Sequence, residues 1–283
     1  MSASCRYHVL RLGAAALVAG GLLAGCAAKK EEYKEQTISV LYNRAMNALE
    51  DGDYKTASSN FDEVDRQHPS SPWATKAQLM AGYSLYKANK MDDAVSALDR
   101  FIQLHPGHRD VAYAYYLKAL CYYEQIADVA RDQGITEQAQ KALQELMRRF
   151  PNSKYARDAK FKLDLVRDHL AGREMNVGRF YQRQKEYLAA IMRYRVVVEK
   201  FQTTTQVPEA LERMVECYQA LGLTGEAHRI AAVLGYNYPG SDWYQDAYDL
   251  VGGEKAAKGP AGTSQTGPAK KDSGWFGWIG DLF

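Results

Sequence analysis

Residues 71–106 read SPWATKAQLMAGYSLYKANKMDDAVSALDRFIQLHP, and this stretch decides the fold. Apolar residues recur at three- and four-residue steps over 73–88 and again over 91–104, which predicts two amphipathic helices. Asn89 and Lys90 separate the two helices as a short turn. Pro106 ends the second helix, because proline lacks the backbone N–H and clashes with the preceding turn. The stretch therefore predicts a helix hairpin.

The hairpin recurs along the chain in one phase. Each copy ends at a stop position, and an alanine precedes each stop by twelve residues. The stops are Pro69, Pro106, Pro151, Gln202 and Pro239, and the alanines are Ala57, Ala94, Ala139, Ala190 and Ala227. An apolar residue also stands five before each stop, at Val64, Phe101, Leu146, Val197 and Leu234. Since a small side chain lets two helices approach closely, this phase indicates five copies of one packed hairpin.

A hairpin with small residues, an aromatic residue and a terminal proline at fixed offsets resembles the tetratricopeptide repeat, whose period is ~34 residues. In the second copy the pattern falls on Gly82, Ala94, Leu98 and Pro106. In the fourth copy it falls on Gly178, Tyr181, Ala190 and Tyr194, with Gln202 in place of the proline. We therefore predict an all-α fold, a right-handed α-solenoid of about five tetratricopeptide-like helix hairpins. An irregular all-helical domain is the alternative.

The beginning of the chain predicts a targeting segment. Arg6 and Arg11 precede an apolar run over 12–24, which is too short to span a bilayer and fits a signal peptide. The run ends in Leu-Ala-Gly-Cys over 23–26, which resembles the lipobox of bacterial lipoproteins. In that family the thiol is acylated, with palmitate among the chains, and the signal peptide is cut before the cysteine. The resemblance makes Cys26 the lipidation site, and an ordinary signal peptide with a chance cysteine is the alternative.

The remaining composition divides the chain into five segments. We predict a signal peptide over 1–25, a lipidated tether over 26–36, the repeat domain over 37–250, a disordered linker over 251–274 and an aromatic tail over 275–283. In the tail, Trp275, Trp278, Ile279 and Leu282 would share one face of a short helix. Two interpretations stay open for this tail: a weak foothold on the membrane surface or in a partner groove, or a cap packed on the last hairpin.

Several function classes lack support in the sequence. The net charge is +2, and removing Arg6 and Arg11 brings the chain near neutrality, which argues against nucleic-acid binding. The histidines form no metal-binding motif and no nucleophile motif is present, so we predict no metal, no cofactor and no catalysis. Cys121 and Cys217 lie two repeats apart, and we expect buried free thiols there.

The first helices of the first three hairpins carry more apolar surface than stacking needs. A second stripe, one residue beyond the stacking stripe, lines the groove in tetratricopeptide arrays. We predict a peptide groove formed by Tyr42, Leu79, Tyr83, Tyr86, Tyr116 and Tyr123, with Lys76 and Lys87 placed to meet a carboxylate. The alternative is that a tightly curved array buries these tyrosines as core.

A lipobox followed by five such hairpins is similar to the lipoprotein family of the β-barrel assembly machinery of Gram-negative outer membranes. The resemblance covers 23–250, and the stretch DAKFKLDLVRDHLA over 158–171 adds to it. It implies a non-catalytic scaffold, lipid-anchored on the periplasmic face of the outer membrane, since Ala27 rather than aspartate follows Cys26. Its first repeats would bind unfolded outer-membrane proteins.

The same resemblance implies that later repeats bind the POTRA domain of the barrel insertase, in a complex with other assembly lipoproteins. It places this contact on the fourth copy, at Arg179, Arg183, Arg193 and Arg195. A solvated helix face is the other interpretation of these arginines. A tetratricopeptide lipoprotein adaptor for peptidoglycan synthesis or cell-division proteins remains the alternative function, because it would use the same fold and anchor.

Overall fold

The computed structural model describes residues 35–129 and 131–252, and all regular secondary structure in these residues is α-helical. In chain order the helices are α1 (Ile38–Glu50), α2 (Tyr54–Gln67), α3 (Pro72–Lys87), α4 (Met91–Leu104), α5 (Val111–Tyr123), α6 (Gly134–Arg149), α7 (Lys154–Arg183), α8 (Tyr187–Lys200), α9 (Val207–Ala220), α10 (Thr224–Asn237) and α11 (Asp242–Leu250). The predicted signal peptide, Cys26 and the aromatic tail lie outside the described residues.

The helices pair as five hairpins in sequence order. Hairpins one to five are α1–α2, α3–α4, α5–α6, α7–α8 and α9–α10, and each helix packs against the next along the chain. The first helices α1, α3, α5 and α7 also touch in succession, and α11 packs on α9 and α10. This confirms the predicted all-α solenoid of tetratricopeptide-like hairpins.

The alanine phase marks the closest approaches inside the hairpins. Ala57, Ala94, Ala139, Ala190 and Ala227 all have 0% of their surface exposed. In hairpin two, Gly82 lies against Leu98 so closely that a Cβ atom at position 82 would stand 3.0 Å from Leu98 Cγ. Small residues therefore allow the two helices of a hairpin to pack with little space between their backbones.

The second helix of every hairpin ends in the same way. The N–H of the residue after the helix donates to the carbonyl oxygen four residues earlier, which is the apolar position noted five before each stop. The bonds are His68 to Val64, His105 to Phe101, Phe150 to Leu146, Phe201 to Val197 and Tyr238 to Leu234, at 2.8–3.0 Å. Hairpin four ends this way without a proline, so the cap and not the proline is common to all copies.

Hairpin three departs from the tight turn of its neighbours. The turns of the other hairpins contain a residue with positive φ, for example Asn89 at 59° and Gly222 at 74°. Hairpin three instead carries a longer connection, held by Gln133, which is 3% exposed. Its Nε2 donates to the carbonyl oxygens of Val129 at 3.2 Å and Arg131 at 2.9 Å. The side chain thus satisfies backbone groups that a tight turn would satisfy by itself.

Helix α7 is about twice as long as its partner, with 30 residues against 14 in α8. Leu163 and Val166 in its first half belong to a core shared with α5 and α6. Met175 in its second half belongs to a core shared with α8 and α9. The helix therefore joins the two halves of the repeat domain.

Candidate functional site

Two of the predicted groove residues belong to the core. Tyr42 is 6% exposed, and its ring lies 5.6 Å from that of Phe61 and 4.8 Å from that of Trp73. Leu79 is 5% exposed and packs with the residues of hairpins two and three. Neighbouring residues cover both side chains, so Tyr42 and Leu79 pack beneath the surface and are not open to a ligand.

The other predicted tyrosines are half-buried and hold fixed positions. Tyr86 on α3 donates a hydrogen bond from its hydroxyl to Glu124 Oε1. Tyr116 on α5 donates to Asp158 Oδ2 at 2.6 Å, which links α5 to α7. Burial, followed by these carboxylates, raises the pKa of both phenols well above its usual range. Both hydroxyls therefore stay protonated and act as donors.

The structure adds two tyrosines that the sequence reasoning missed. The ring of Tyr155 stacks on that of Tyr116 at 5.1 Å between centroids, and Tyr113 lies 5.4 Å from Tyr155. Burial, followed by Tyr83 and Tyr155, raises the pKa of Tyr113 to about 12. Tyr113 could have been found from its three-residue spacing to Tyr116, whereas nothing local in the sequence marks Tyr155.

These residues belong to a set of half-buried tyrosines on three successive first helices, α3, α5 and α7. We call it the tyrosine face, and it consists of Tyr83, Tyr86, Tyr113, Tyr116, Tyr123 and Tyr155. All six side chains are half-buried, so each presents part of a ring to solvent while its remainder packs on α3, α5 or α7. Rigid rings of this kind offer apolar contact area at a low cost in conformational entropy.

Lysines stand over aromatic rings along these helices. Lys76 Nζ lies 5.6 Å from the ring centroid of Tyr42, Lys87 Nζ 5.8 Å from Tyr54 and Lys154 Nζ 5.1 Å from Tyr155. Within residues 35–129 and 131–252, these three lysines form no ion pair. Lys162 differs, since it lies 5.5 Å from the Tyr123 ring and also pairs with Asp158 at 2.8 Å. The other three ammonium groups can therefore bind a carboxylate of a ligand by donating hydrogen bonds to it.

Three of the four predicted arginines already have acidic partners. Arg179 on α7 binds both carboxylate oxygens of Glu209 on α9, at 2.9 and 2.6 Å. Arg193 pairs with Glu174 at 3.3 Å, and Arg195 pairs with Glu199 at 3.3 Å. Arg183, near the end of α7, is exposed. All four arginines thus lie on hairpin four, and the three paired ones have different acidic partners.

A buried polar network connects α7, α8 and α9. Tyr194 donates to Gln182 Oε1 at 2.7 Å, and Gln182 Nε2 donates to Glu216 at 2.7 Å. Arg213 also binds Glu216, at 2.7 Å. Beside them Glu212 is only 4% exposed, and burial, followed by Glu216, raises its pKa to about 8. Polar side chains therefore connect hairpins four and five through their interior.

The described residues offer little for metal or thiol chemistry. The two cysteines there, Cys121 and Cys217, are free and buried as predicted, and burial raises the pKa of each thiol to about 12. No group of His, Cys, Asp or Glu in residues 35–129 and 131–252 has the arrangement of a metal site. None of the helices in those residues combines the length and apolar composition needed to cross a membrane.

Comparison with known proteins finds one family model and several similar relatives. Residues 34–234 match the YfiO model, described as an outer membrane lipoprotein. The outer membrane protein assembly factor BamD of Caulobacter vibrioides is 49% identical over 241 residues, which cover 84% of this chain and 79% of that protein. The BamD of Rickettsia prowazekii is 46% identical over 242 residues, which cover 85% and 96% of the two chains.

A more distant relative carries the same name, and a solved structure shows a weaker similarity. The BamD of Neisseria meningitidis serogroup A is 32% identical over 225 residues, which cover 76% of this chain and 84% of that protein. Among solved structures, the TPR domain of P58(IPK) is 17% identical with a TM-score of 0.40, over 76% of this chain and 57% of that chain. None of these matches supports an adaptor for peptidoglycan synthesis or cell division.

Proposed function

The chain belongs to the BamD family of outer membrane protein assembly factors, and we propose that it serves this assembly as a non-catalytic, lipid-anchored scaffold. It binds unfolded outer-membrane proteins through the tyrosine face and the barrel insertase through hairpin four. The observation that carries the proposal is the row of half-buried tyrosines on α3, α5 and α7, in which Tyr113 and Tyr116 both contact Tyr155. Such a row exceeds what stacking of the hairpins requires.

The anchor of this scaffold is Cys26. Its lipobox supports acylation of the thiol, and the chain then lies on the periplasmic face of the outer membrane, with its repeats in the periplasm. A single acyl chain binds a membrane only marginally, whereas two chains bind it stably. Lipidation at Cys26 therefore tethers the repeat domain next to the membrane in which the barrels are inserted.

The tyrosine face suits an unfolded segment with aromatic side chains. Its rings offer stacking and edge contacts at fixed positions, because hydrogen bonds to Glu124 and Asp158 hold Tyr86 and Tyr116 in place. Lys154 stands over the Tyr155 ring of this surface. Lys76 and Lys87 lie on α3, the helix of Tyr83 and Tyr86, and all three lysines offer charge to carboxylates of the segment. An extended chain can thus bind through side chains alone, without a catalytic group.

Hairpin four is the proposed contact for the POTRA domain of the insertase and for other lipoproteins of the complex. Arg183 is exposed, and Arg193 retains 45% of its side-chain exposure while paired with Glu174. Arg179 and Arg195 sit deeper, so they shape the surface through Glu209 and Glu199. A partner with acidic groups would meet Arg183 and Arg193 first.

Replacement of Tyr83 and Tyr86 by alanine tests the substrate surface. Aromatic anchors typically cost ~2 kcal/mol or more on truncation, so affinity for a peptide from the last strand of a barrel protein should fall by more than about tenfold. Binding of the insertase should stay unchanged. Tyr236→Ala is the matched control, because Tyr236 is 85% exposed on α10. Equal loss of peptide and insertase binding, with a lower melting temperature, would instead identify Tyr83 and Tyr86 as core residues.

A further inference from the structure

The first half of α7 exposes an apolar surface. Phe161 is 66% exposed and Leu165 is 60% exposed, and their four-residue spacing places both side chains on one side of the helix. We call this pair the uncovered α7 face. Isolated exposed apolar residues are ordinary, but two adjacent large ones on one helical face form a patch that a partner helix can cover.

The same side of α7 is occupied further along the helix. Asp168 Oδ1 accepts hydrogen bonds from Thr205 N at 3.0 Å and Thr205 Oγ1 at 2.7 Å, in the loop that leads into α9. Arg179, which follows Phe161 by about five helical turns, binds Glu209 of α9. Phe161 and Leu165 remain 66% and 60% exposed, so the helices of the described residues leave both side chains largely uncovered. The patch therefore lies in the N-terminal half of one side of α7. Side chains of α9 and of the loop before it contact this side only from Asp168 onward.

We propose that the tail over 275–283 docks on the uncovered α7 face as a short amphipathic helix. Its apolar stripe of Trp275, Trp278, Ile279 and Leu282 has the spacing that an apolar helix face requires. A two-turn helix is unstable alone in water, so it needs such a surface to fold.

Charge supports this placement. Lys154, Arg157 and Lys160 lie exposed at the start of α7, and none of them forms an ion pair within the described residues. Asp281 is the only charged residue of the tail, and it lies off the apolar stripe. The basic residues can therefore attract Asp281 while Phe161 and Leu165 contact the aromatic rings, although Asp164 lies one turn beyond Lys160 on the same edge of the patch.

The intervening chain has the right reach. The Leu250 carbonyl oxygen accepts from Gln219 Nε2 at 3.4 Å, so α11 ends near the end of α9. The loop before α9 contacts Asp168, three residues beyond Leu165 on α7. The separation of Leu250 and Leu165 is therefore about the length of α9, roughly 21 Å, plus about one turn of α7. A random coil of the length of 253–274 spans about 25 Å. Such a tether supplies an effective concentration on the order of millimolar, which favours docking of a weak helix.

The test uses the fluorescence of the tail itself. The chain has four tryptophans, so Trp73→Phe and Trp243→Phe leave only Trp275 and Trp278 to report. The chain from residue 27 onward keeps the whole helical unit and the tail without the lipid. We expect blue-shifted emission and slow acrylamide quenching in the absence of vesicles. Phe161→Ser with Leu165→Ser should shift the emission to the red and speed the quenching.

A second exposed pair gives the matched control. Leu188 and Met192 on α8 have the same spacing and are 65% and 64% exposed. Serine at both positions should leave the emission blue-shifted if the tail docks on α7. A disulfide between Leu165→Cys and Ile279→Cys is also expected, and the native Cys121 and Cys217 are buried and do not compete.

Three results would overturn the proposal. Tryptophan emission that is red-shifted without vesicles, and blue-shifted only after phosphatidylethanolamine–phosphatidylglycerol vesicles are added, would mean that the tail binds the membrane surface. Blue emission that neither serine pair changes would place the tail on the last hairpin. Loss of blue emission only in the Leu188 and Met192 variant would move the docking surface to α8. Circular dichroism and melting of each variant separate these results from unfolding, which exposed positions should not cause.

Discussion

Gly178 of α7 lies directly against the ring of Tyr194 of α8, and a Cβ atom at position 178 would stand 2.8 Å from Tyr194 Cδ1. Tyr194 has 0% of its surface exposed, and its hydroxyl is held by Gln182. Because the ring is buried and its hydroxyl is held, a shift of the ring would break this hydrogen bond or disturb its buried neighbours. The glycine is therefore needed for the close approach of two helices, and its φ angle is an ordinary negative one.

Gly178→Ala should destabilise the repeat domain. Alanine is ~1 kcal/mol better than glycine inside a helix, but overpacking against a fixed ring typically costs ~1–3 kcal/mol. The urea midpoint should therefore fall. Gly172→Ala on the same helix is the control, since its Cβ would meet Val129 Cγ1 at an ordinary 3.5 Å and should raise stability. A Gly178→Ala variant at least as stable as the parent would contradict this packing.

Glu212 should make stability depend on pH in the neutral range. Burial, followed by Glu216, raises its pKa to about 8 from an ordinary value of 4.5, while Arg213 lowers it and Asp246 of α11 raises it. The folded state thus holds a proton that the unfolded state has lost. The stabilisation that the protonated Glu212 contributes is fully present below about pH 4.5, and it is lost as the pH rises through about 8.

Replacing this carboxyl by an amide removes the titration. Glu212→Gln should flatten the decline of the urea midpoint between roughly pH 5 and pH 8, and its advantage over the parent should grow with pH. Glu199→Gln, at an exposed carboxylate on α8, should leave the parent curve unchanged. A parallel decline in the parent and the Glu212 variant would show that another group is responsible.

Cys26→Ser should release the protein from the outer membrane. Serine cannot form the thioether, so acylation and cleavage before residue 26 should both fail. Labelling with a radioactive fatty acid should disappear from the variant. Cys5→Ser, within the predicted signal peptide, should keep label and location. Persistence of the Cys26→Ser variant in the outer-membrane fraction after a high-salt wash would mean that lipid is not its main tether.

Arg193→Glu should impair capture of the insertase by reversing an exposed charge. The substitution also places two like charges together, because Arg193 pairs with Glu174 at 3.3 Å. The double variant Arg193→Glu with Glu174→Arg restores the internal pair while leaving the outer charge reversed. We expect co-purification with the insertase to stay low in both variants. Recovery in the double variant would assign Arg193 a structural role within hairpin four.

The sequence by itself determined the repeat. Alanines in one phase predicted packed positions inside the hairpins, and all five alanines are fully buried. The three- and four-residue periods predicted the helices, as at α4 over Met91–Leu104. These features are local, because helix geometry assigns each side chain to a face from its spacing alone. Four of the six residues of the tyrosine face were predictable for the same reason, from the spacing that places Tyr83, Tyr86, Tyr116 and Tyr123 on one stripe.

Only the tertiary structure decided which of those faces meet. Tyr42 follows the same pattern as Tyr116, yet it is buried between Phe61 and Trp73. Tyr155 completes the tyrosine face through a stack on Tyr116, and Asp158 binds Tyr116 across 42 positions of the chain. The periodicity of one helix says which side is apolar, but the relative lengths and offsets of neighbouring helices determine what covers that side. Phe161 and Leu165 show the same limit, because their spacing places them on one side of α7 but only the structure shows that this side is 66% and 60% exposed at the two residues.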